Sequence, residues 1–270
     1  MATNLNAPSR PSNITKFLNH PRSFQLPSSL YSVEMSLNSH PLPSIEAEPY
    51  RWPHDSSFNS GSTALIVIDM QVDFCSPGGY LDAQGISIEP MRAVIPQIKS
   101  LLDAFRAAGF PIYHTREGHR PDLSTLSSRE LARSRNNTSG KGIGDMGPLG
   151  RLLVRGEKGH EIIPELTPLS SEPIIDKPGR SAFQHTDLKL LLDNRRVKNL
   201  VICGVTTDVC VTSTMRDGND MGLDCLLVSD ASAAGEQHLH EAAVASVCGE
   251  GGIFGAVATT DKVLAAANSV

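Results

Sequence analysis

Along most of this chain, apolar runs of strand length alternate with apolar positions at helical spacing. Ala64-Leu65-Ile66-Val67-Ile68 is an unbroken apolar run that stops on Asp69, the pattern of a parallel strand covered on both faces. Met91, Val94, Ile95, Ile98, Leu101, Leu102 and Phe105 then recur at helical spacing and predict a helix that Gly109 ends; Phe110 to His114 predicts the next strand. A long stretch rich in Gly, Arg and Ser follows, from Arg116 to Arg155. Beyond it, Ile174-Ile175-Asp176 reads as a short strand, Asp187 to Asn194 as a helix and Leu200 to Cys203 as a buried strand. Asp208 to Met221 reads as a helix, Cys225 to Val228 as a strand and His238 to Val247 as a helix. This alternation builds a parallel sheet with right-handed crossovers, an α/β fold. Open parallel sheets take ligands at the carboxyl ends of their strands. Asp69, Lys177 and Cys210 all lie at or just past such ends, so residues far apart in sequence are expected to meet there.

The first 48 residues break the pattern. They are rich in Ser, Pro and Asn, show neither periodicity, and carry Arg10, Lys16 and Arg22 but no acid before Glu34. That composition resembles an organellar transit peptide, but the basic residues are few and the prolines interrupt any amphipathic helix. Residues 1–48 are therefore expected to be a disordered or partner-draping extension, and residues 49–270 a single domain. The 270 residues are 40% apolar, ample for one sizeable core. A formal charge of −5 without a basic stripe argues against nucleic acid or an anionic membrane surface and for a small-molecule ligand. The five cysteines are an odd number in a chain too long to need disulfide staples, and no apolar run is long enough to span a bilayer. A protein of the reducing cytoplasm is expected.

Chemistry concentrates in Gly204-Val205-Thr206-Thr207-Asp208-Val209-Cys210-Val211, where a strand hands over to a helix. The free N–H groups and positive end of a helix N-terminus favour thiolate over thiol and hold a developing negative oxygen. A buried structural cysteine is the commoner fate of a free thiol, and Cys203 and Cys225, inside strands, fit that description. Around Cys210, Gly204 allows close backbone approach, and Thr206-Thr207-Asp208 supply hydroxyls and an N-cap. Asp69 as a strand-terminating cap and Lys177 as a surface lysine are the plain readings of those residues. Beside a thiol, a carboxylate of raised pKa accepts its proton and later delivers it to a leaving nitrogen, and an ammonium favours the thiolate.

Asp69-Met70-Gln71, Lys177-Pro178 and the Gly204 to Val211 segment together resemble the isochorismatase-like cysteine hydrolase superfamily, over about Pro49 to Thr260. The resemblance implies a three-layer α/β/α fold with a six-stranded, mostly parallel sheet, and a catalytic triad of Asp69, Lys177 and Cys210. It also implies a non-proline cis peptide at Val205–Thr206 and an oxyanion hole from the N–H groups of Thr206 and Cys210. Dimers or tetramers are common in the family, so a homo-oligomer is expected.

Retention of Cys210 points toward C–N bond cleavage, since isochorismatases often replace that residue. Nicotinamidases of the superfamily bind a metal through Asp-x-His and a second histidine; here only Glu117-Gly118-His119 stands in that region, so neither metal nor other cofactor is expected. Further stretches, including Glu48 to Pro53, Asp73-Phe74-Cys75, Gly78-Gly79-Tyr80, His114 to Asp122 and Gly142 to Asp145, resemble biuret hydrolases. On that resemblance the substrate is biuret, cleaved to allophanate and ammonia, with Phe74 and Tyr80 framing a small planar ureide. Glu250 stands where biuret hydrolases have glutamine and ureidoacrylate amidohydrolases have glutamate. A glutamate accepts from a ureido NH₂ but cannot donate to a carbonyl, so Glu250 is a candidate substrate contact and ureidoacrylate or another N-carbamoyl compound the alternative substrate. A vinyl-ether hydrolase, which releases pyruvate without ammonia, and a catalytically silent binding protein are the readings from other classes.

Overall fold

The computed structural model describes residues 44–270. The expected extension therefore lies mostly outside the described residues. Its last few positions do not stand apart: Ile45, 1% exposed, pairs antiparallel with Trp52, and Glu48 pairs with Val257. The domain thus takes in residues before Pro49, because an isolated Ile in a polar segment gives no periodicity to read.

Six strands form one sheet: β1 (Thr63–Ile68), β2 (Ile112–Glu117), β3 (Ile174–Lys177), β4 (Asn199–Val205), β5 (Asp224–Ala233) and β6 (Ala256–Ala258). They lie in the order β3-β2-β1-β4-β5-β6, and every neighbouring pair is parallel. Side chains alternate between faces along each strand. Leu65, Val67, Val201, Cys203, Leu226 and Val228 share one buried cluster with Ile98, Leu101, Leu102 and Phe105 of α1 (Ile95–Ala107) and Val263 of α6 (Thr260–Ala267). Ala64, Ile66, Ile68, Leu200, Ile202 and Leu227 pack with Leu188 and Leu192 of α3 (Leu188–Asn194), Met215 of α4 (Thr212–Asp220) and Val247 of α5 (Gln237–Gly252). Helices on both faces make the three layers. The one α-helix between β2 and β3, α2 (Ser128–Ser134), carries a Ser127 cap whose hydroxyl accepts from the Glu130 N–H.

Four departures from the sequence pattern bear on the site. Strand β2 runs to Glu117, three residues past His114. The periodic segment from Met91 divides into Glu89–Ala93 and α1, because Pro96 in the first turn of α1 has no N–H to continue the earlier helix. The helix expected from Asp208 begins as a π-helical turn, Thr207–Val211, that leads into α4. The sixth strand, Ala-Val-Ala, is too short to stand out as an apolar run. Among the described residues, no helix is long and apolar enough to cross a membrane.

Candidate active site

Asp69 ends β1 with φ 48°, in the left-handed region that aspartate tolerates better than most residues. The turn aims its carboxylate back into the protein, where it is fully buried. The Thr115 hydroxyl on β2 donates to Asp69 Oδ1 at 2.5 Å and accepts from the Asp69 N–H at 3.1 Å. Lys177 is the last residue of β3, two strands away. Its fully buried Nζ lies 2.7 Å from Asp69 Oδ2 and donates to the Gly179 carbonyl at 2.7 Å. Cys210, 4% exposed, places Sγ 3.4 Å from Lys177 Nζ. The three residues named from sequence thus converge at the carboxyl ends of β1, β3 and β4.

Glu117 joins them, and sequence reasoning missed it. Its Oε2 lies 3.4 Å from both Lys177 Nζ and Cys210 Sγ. Gln71 clamps the Glu117 backbone by donating through Nε2 to its carbonyl at 3.0 Å and accepting from its N–H at 2.6 Å. Ending β2 at His114 had placed Glu117 in a loop, since Arg-Glu does not read as a strand interior. The available signal was alternation: Thr115 and Glu117 share one face of β2.

Cys210 is held by a tight crossing. Gly204 has φ 113°, and a Cβ there would sit 2.2 Å from the Ile68 carbonyl oxygen, so only glycine lets β4 pass β1 at this level. The Val205–Thr206 peptide is cis. The expected N-cap is not formed: the side chain at the cap position, Thr206, makes no capping bond, and the Thr207 hydroxyl pairs with His240 Nδ1 at 2.9 Å.

Burial lifts the Asp69 carboxyl above its ordinary range; Lys177 opposes the shift and the Glu117 charge reinforces it. Burial likewise pushes the Cys210 thiol well up, against the pull of Lys177. Glu117 moves the other way, because Lys177 and Arg180 together outweigh its burial. The Lys177 ammonium, which burial alone would weaken, is strengthened by Asp69, Cys210 and Glu117. One buried cation faces three acids. Lys177 sits closest to Asp69, at 2.7 Å, and the Cys210 thiol donates to Glu117 Oε2 at 3.4 Å.

Removing the Glu117 charge shifts that balance toward the thiolate. Glu117→Gln is expected to speed alkylation of Cys210 by iodoacetamide at pH 7 by about three- to tenfold, as an opposing charge close to a thiol is lost. Rates of single-cysteine labelling by mass spectrometry check this; an unchanged or slower rate would show that Glu117 does not hold the proton on sulfur.

Asp69, Glu117 and Cys210 each offer a donor atom, all within 4.8 Å of one another, the one such group among the described residues. Lys177 Nζ approaches all three, so their common centre already carries a cation. The donor set fits an ammonium, not a metal ion. His119 is turned away, its Nδ1 3.1 Å from the Thr125 hydroxyl.

A cavity of about 280 Å³ opens onto the thiol. Phe74, Tyr80, Glu117, Thr206 and Cys210 line it, together with Arg133 and Arg180, which sequence reasoning also missed. The Phe74 and Tyr80 rings meet edge-on, centroids 6.2 Å apart. Asp73 fixes that corner by accepting from the Tyr80 and Leu153 N–H groups. Glu250 is not among the lining residues. It is exposed, at φ 52°, in the Gly249-Glu250-Gly251 break of α5.

Residues 63–262 match the isochorismatase domain. The chain belongs to the isochorismatase family. This isochorismatase-family hydrolase is 32% identical over 197 residues to ureidoacrylate amidohydrolase RutB of Azorhizobium caulinodans, covering 72% of this chain and 87% of that protein. With the RutB of Serratia proteamaculans it shares 33% identity over 197 residues, covering 72% and 79%. Its fold matches the crystal structure of a cysteine hydrolase from Pseudomonas syringae pv. phaseolicola with a TM-score of 0.68 at 28% identity, over 84% of this chain and 98% of that one.

Proposed function

We propose that this isochorismatase-family hydrolase is a cysteine-dependent amidohydrolase of a small ureido compound, with Asp69, Lys177 and Cys210 as its triad. It acts on C–N bonds other than peptide bonds. The convergence of a buried carboxylate and a buried ammonium on one thiol at the floor of a cavity carries the reading. A carboxylate of raised pKa is a stronger base than an ordinary one, and Asp69 accepts the Cys210 proton as the substrate carbonyl approaches. Sulfur attacks the carbonyl carbon, and the Thr206 and Cys210 N–H groups hold the oxygen as it becomes negative. Collapse breaks the C–N bond; the nitrogen leaves with the proton from Asp69. Water, losing a proton to the same carboxylate, then hydrolyses the thioester or thiocarbamate and frees the thiol. Phe74 and Tyr80 serve as flat walls for a planar ureido group.

The curated relatives favour ureidoacrylate as substrate. The stretches that resemble biuret hydrolases, Asp73-Phe74-Cys75 and Gly78-Gly79-Tyr80 among them, favour biuret as the second reading. Ammonia release from 3-ureidoacrylate, biuret, N-carbamoyl acids, maleamate and nicotinamide tests the assignment, with Cys210→Ala as blank. Ammonia from a ureido compound, absent in the blank, is the expected result. Pyruvate from isochorismate without ammonia from any of the panel would overturn it in favour of vinyl-ether hydrolysis.

A further inference from the structure

Two arginines of the cavity have no part in the chemistry above. Arg180 lies just beyond the carboxyl end of β3, three residues after Lys177, and Arg133 lies in the last turn of α2; both line the same cavity as Cys210. Both donate to one oxygen of Glu130. Arg133 reaches Oε1 through Nε at 2.9 Å and Nη2 at 2.5 Å, and Arg180 reaches it through Nη2. Arg129 approaches the other oxygen at 3.8 Å from the solvent side. One carboxylate serves two guanidinium groups, so the trio by itself carries net positive charge. Arg133 also meets the Tyr80 hydroxyl, and no hydrogen bond among the described residues engages Nε or Nη1 of Arg180.

Glu117 shares Lys177 with Asp69 and lies in the field of Arg180, so the charge of the trio is met in part from that side. Asp208 and Glu236 follow β4 and β5, whereas Arg180 follows β3; in the order β3-β2-β1-β4-β5 the ends of β1 and β2, which carry Asp69 and Glu117, fall between them. With neighbouring strands about 4.8 Å apart, Arg180 and the acids Asp208 and Glu236 enter the cavity from different strand ends. On the acidic side, Asp208 Oδ1 is buried without a partner among the described residues. That is an acceptor suited to an N–H donor.

We propose that Arg133 and Arg180, bridged by Glu130, hold a carboxylate of the substrate, so that the substrate class is a ureido acid and not a neutral ureide; this rests on the amidohydrolase reading. Guanidinium forks match carboxylate geometry, and bonds between charged partners are the stronger kind. The ureido end then lies over Cys210, with its NH₂ toward Asp208. Such a substrate carries one charge at one end and only donors and a carbonyl at the other, the same division the cavity wall shows.

Steady-state kinetics on 3-ureidoacrylate and on biuret, for the wild type, Arg180→Gln, Arg133→Gln and Arg180→Lys, test this. Each glutamine variant is expected to raise KM for the acid by about 10- to 100-fold, the loss of one charge-assisted contact; for Arg133→Gln, the arginine that does not act on Glu117, kcat stays within about threefold and biuret turnover changes little. Arg180→Lys is expected to recover part of the loss. Equal losses on both substrates, or wild-type cleavage of biuret with none of the acid, would overturn the carboxylate site and leave the amidohydrolase reading standing. Binding needs no turnover: calorimetry of 3-ureidoacrylate on Cys210→Ser should show the same arginine dependence. Arginine-sensitive binding with no ammonia from the wild type would instead count against the amidohydrolase reading alone. Arginine-insensitive binding would overturn the carboxylate site.

Discussion

In a Cys210→Ser protein, ammonia release from 3-ureidoacrylate, the substrate proposed above, is expected to fall by at least about 10³-fold, the scale seen when the nucleophile of a coupled catalytic unit is removed. The hydroxyl fits where the thiol was, so the fold and the cavity are kept. What changes is acidity. A thiol can lose its proton to a carboxylate whose own affinity for protons has been raised by burial, whereas an alcohol is a far weaker acid, and the Lys177 ammonium nearby is not enough to let Asp69 deprotonate it. Because the attack forms the first covalent bond of the reaction, the loss should appear in kcat with little change in substrate affinity. Single-turnover assays with an unchanged far-ultraviolet circular dichroism spectrum would check it. Retention of more than about a tenth of wild-type turnover would be incompatible with Cys210 as the nucleophile, given the size of the expected loss.

Lys177→Met is expected to abolish turnover and to destabilise the protein by about 3–5 kcal/mol at neutral pH, the cost of stripping a buried charge cluster of one partner. Lys177 is fully buried, and Asp69, Glu117 and Cys210 would then face one another without any cation between them. The sign of the pH dependence follows from the same charges. A carboxyl whose folded pKa stands above its unfolded value binds more protons in the folded state, so stability falls as pH rises through that interval. Burial already raises Asp69 in the wild type, and loss of Lys177 raises it further. The destabilisation should therefore be smaller at pH 5 than at pH 8, where the acids must ionise or strain the fold. Urea unfolding at both pH values measures it. A cost below about 1 kcal/mol at pH 8 would mean that the acids do not depend on the ammonium, contrary to the usual penalty for an unpaired buried charge.

These two outcomes separate what was legible in the chain from what was not. The apolar run from Ala64 to Ile68 and its successors near Leu200 and Cys225 announced strands covered on both faces, because burial on two sides leaves no polar position to alternate. Asp69, Lys177 and Cys210 lie at or just past the carboxyl ends of strands, and the family resemblance of their flanking residues marked them as a triad. Gly204 was legible too: a backbone passing within 2.2 Å of where a Cβ would lie admits no other residue.

Three features were hidden. Glu117 looked like part of a loop, because a buried glutamate is stable only beside a cation contributed by another strand, and a one-dimensional pattern does not show which strand lies alongside. Arg133 and Arg180 sit 47 residues apart in the numbering and meet only through Glu130. Glu250 misled in the opposite direction, since its neighbourhood resembles a substrate-contact segment while the break in α5 turns it to solvent. Local sequence determined the order of strands and helices and the residue types at the strand ends, which depend on near neighbours and on burial. Tertiary structure alone decided the charge balance around the thiol and the polarity of the cavity, because both are sums over groups that only the parallel pairing of distant strands brings within a few ångströms.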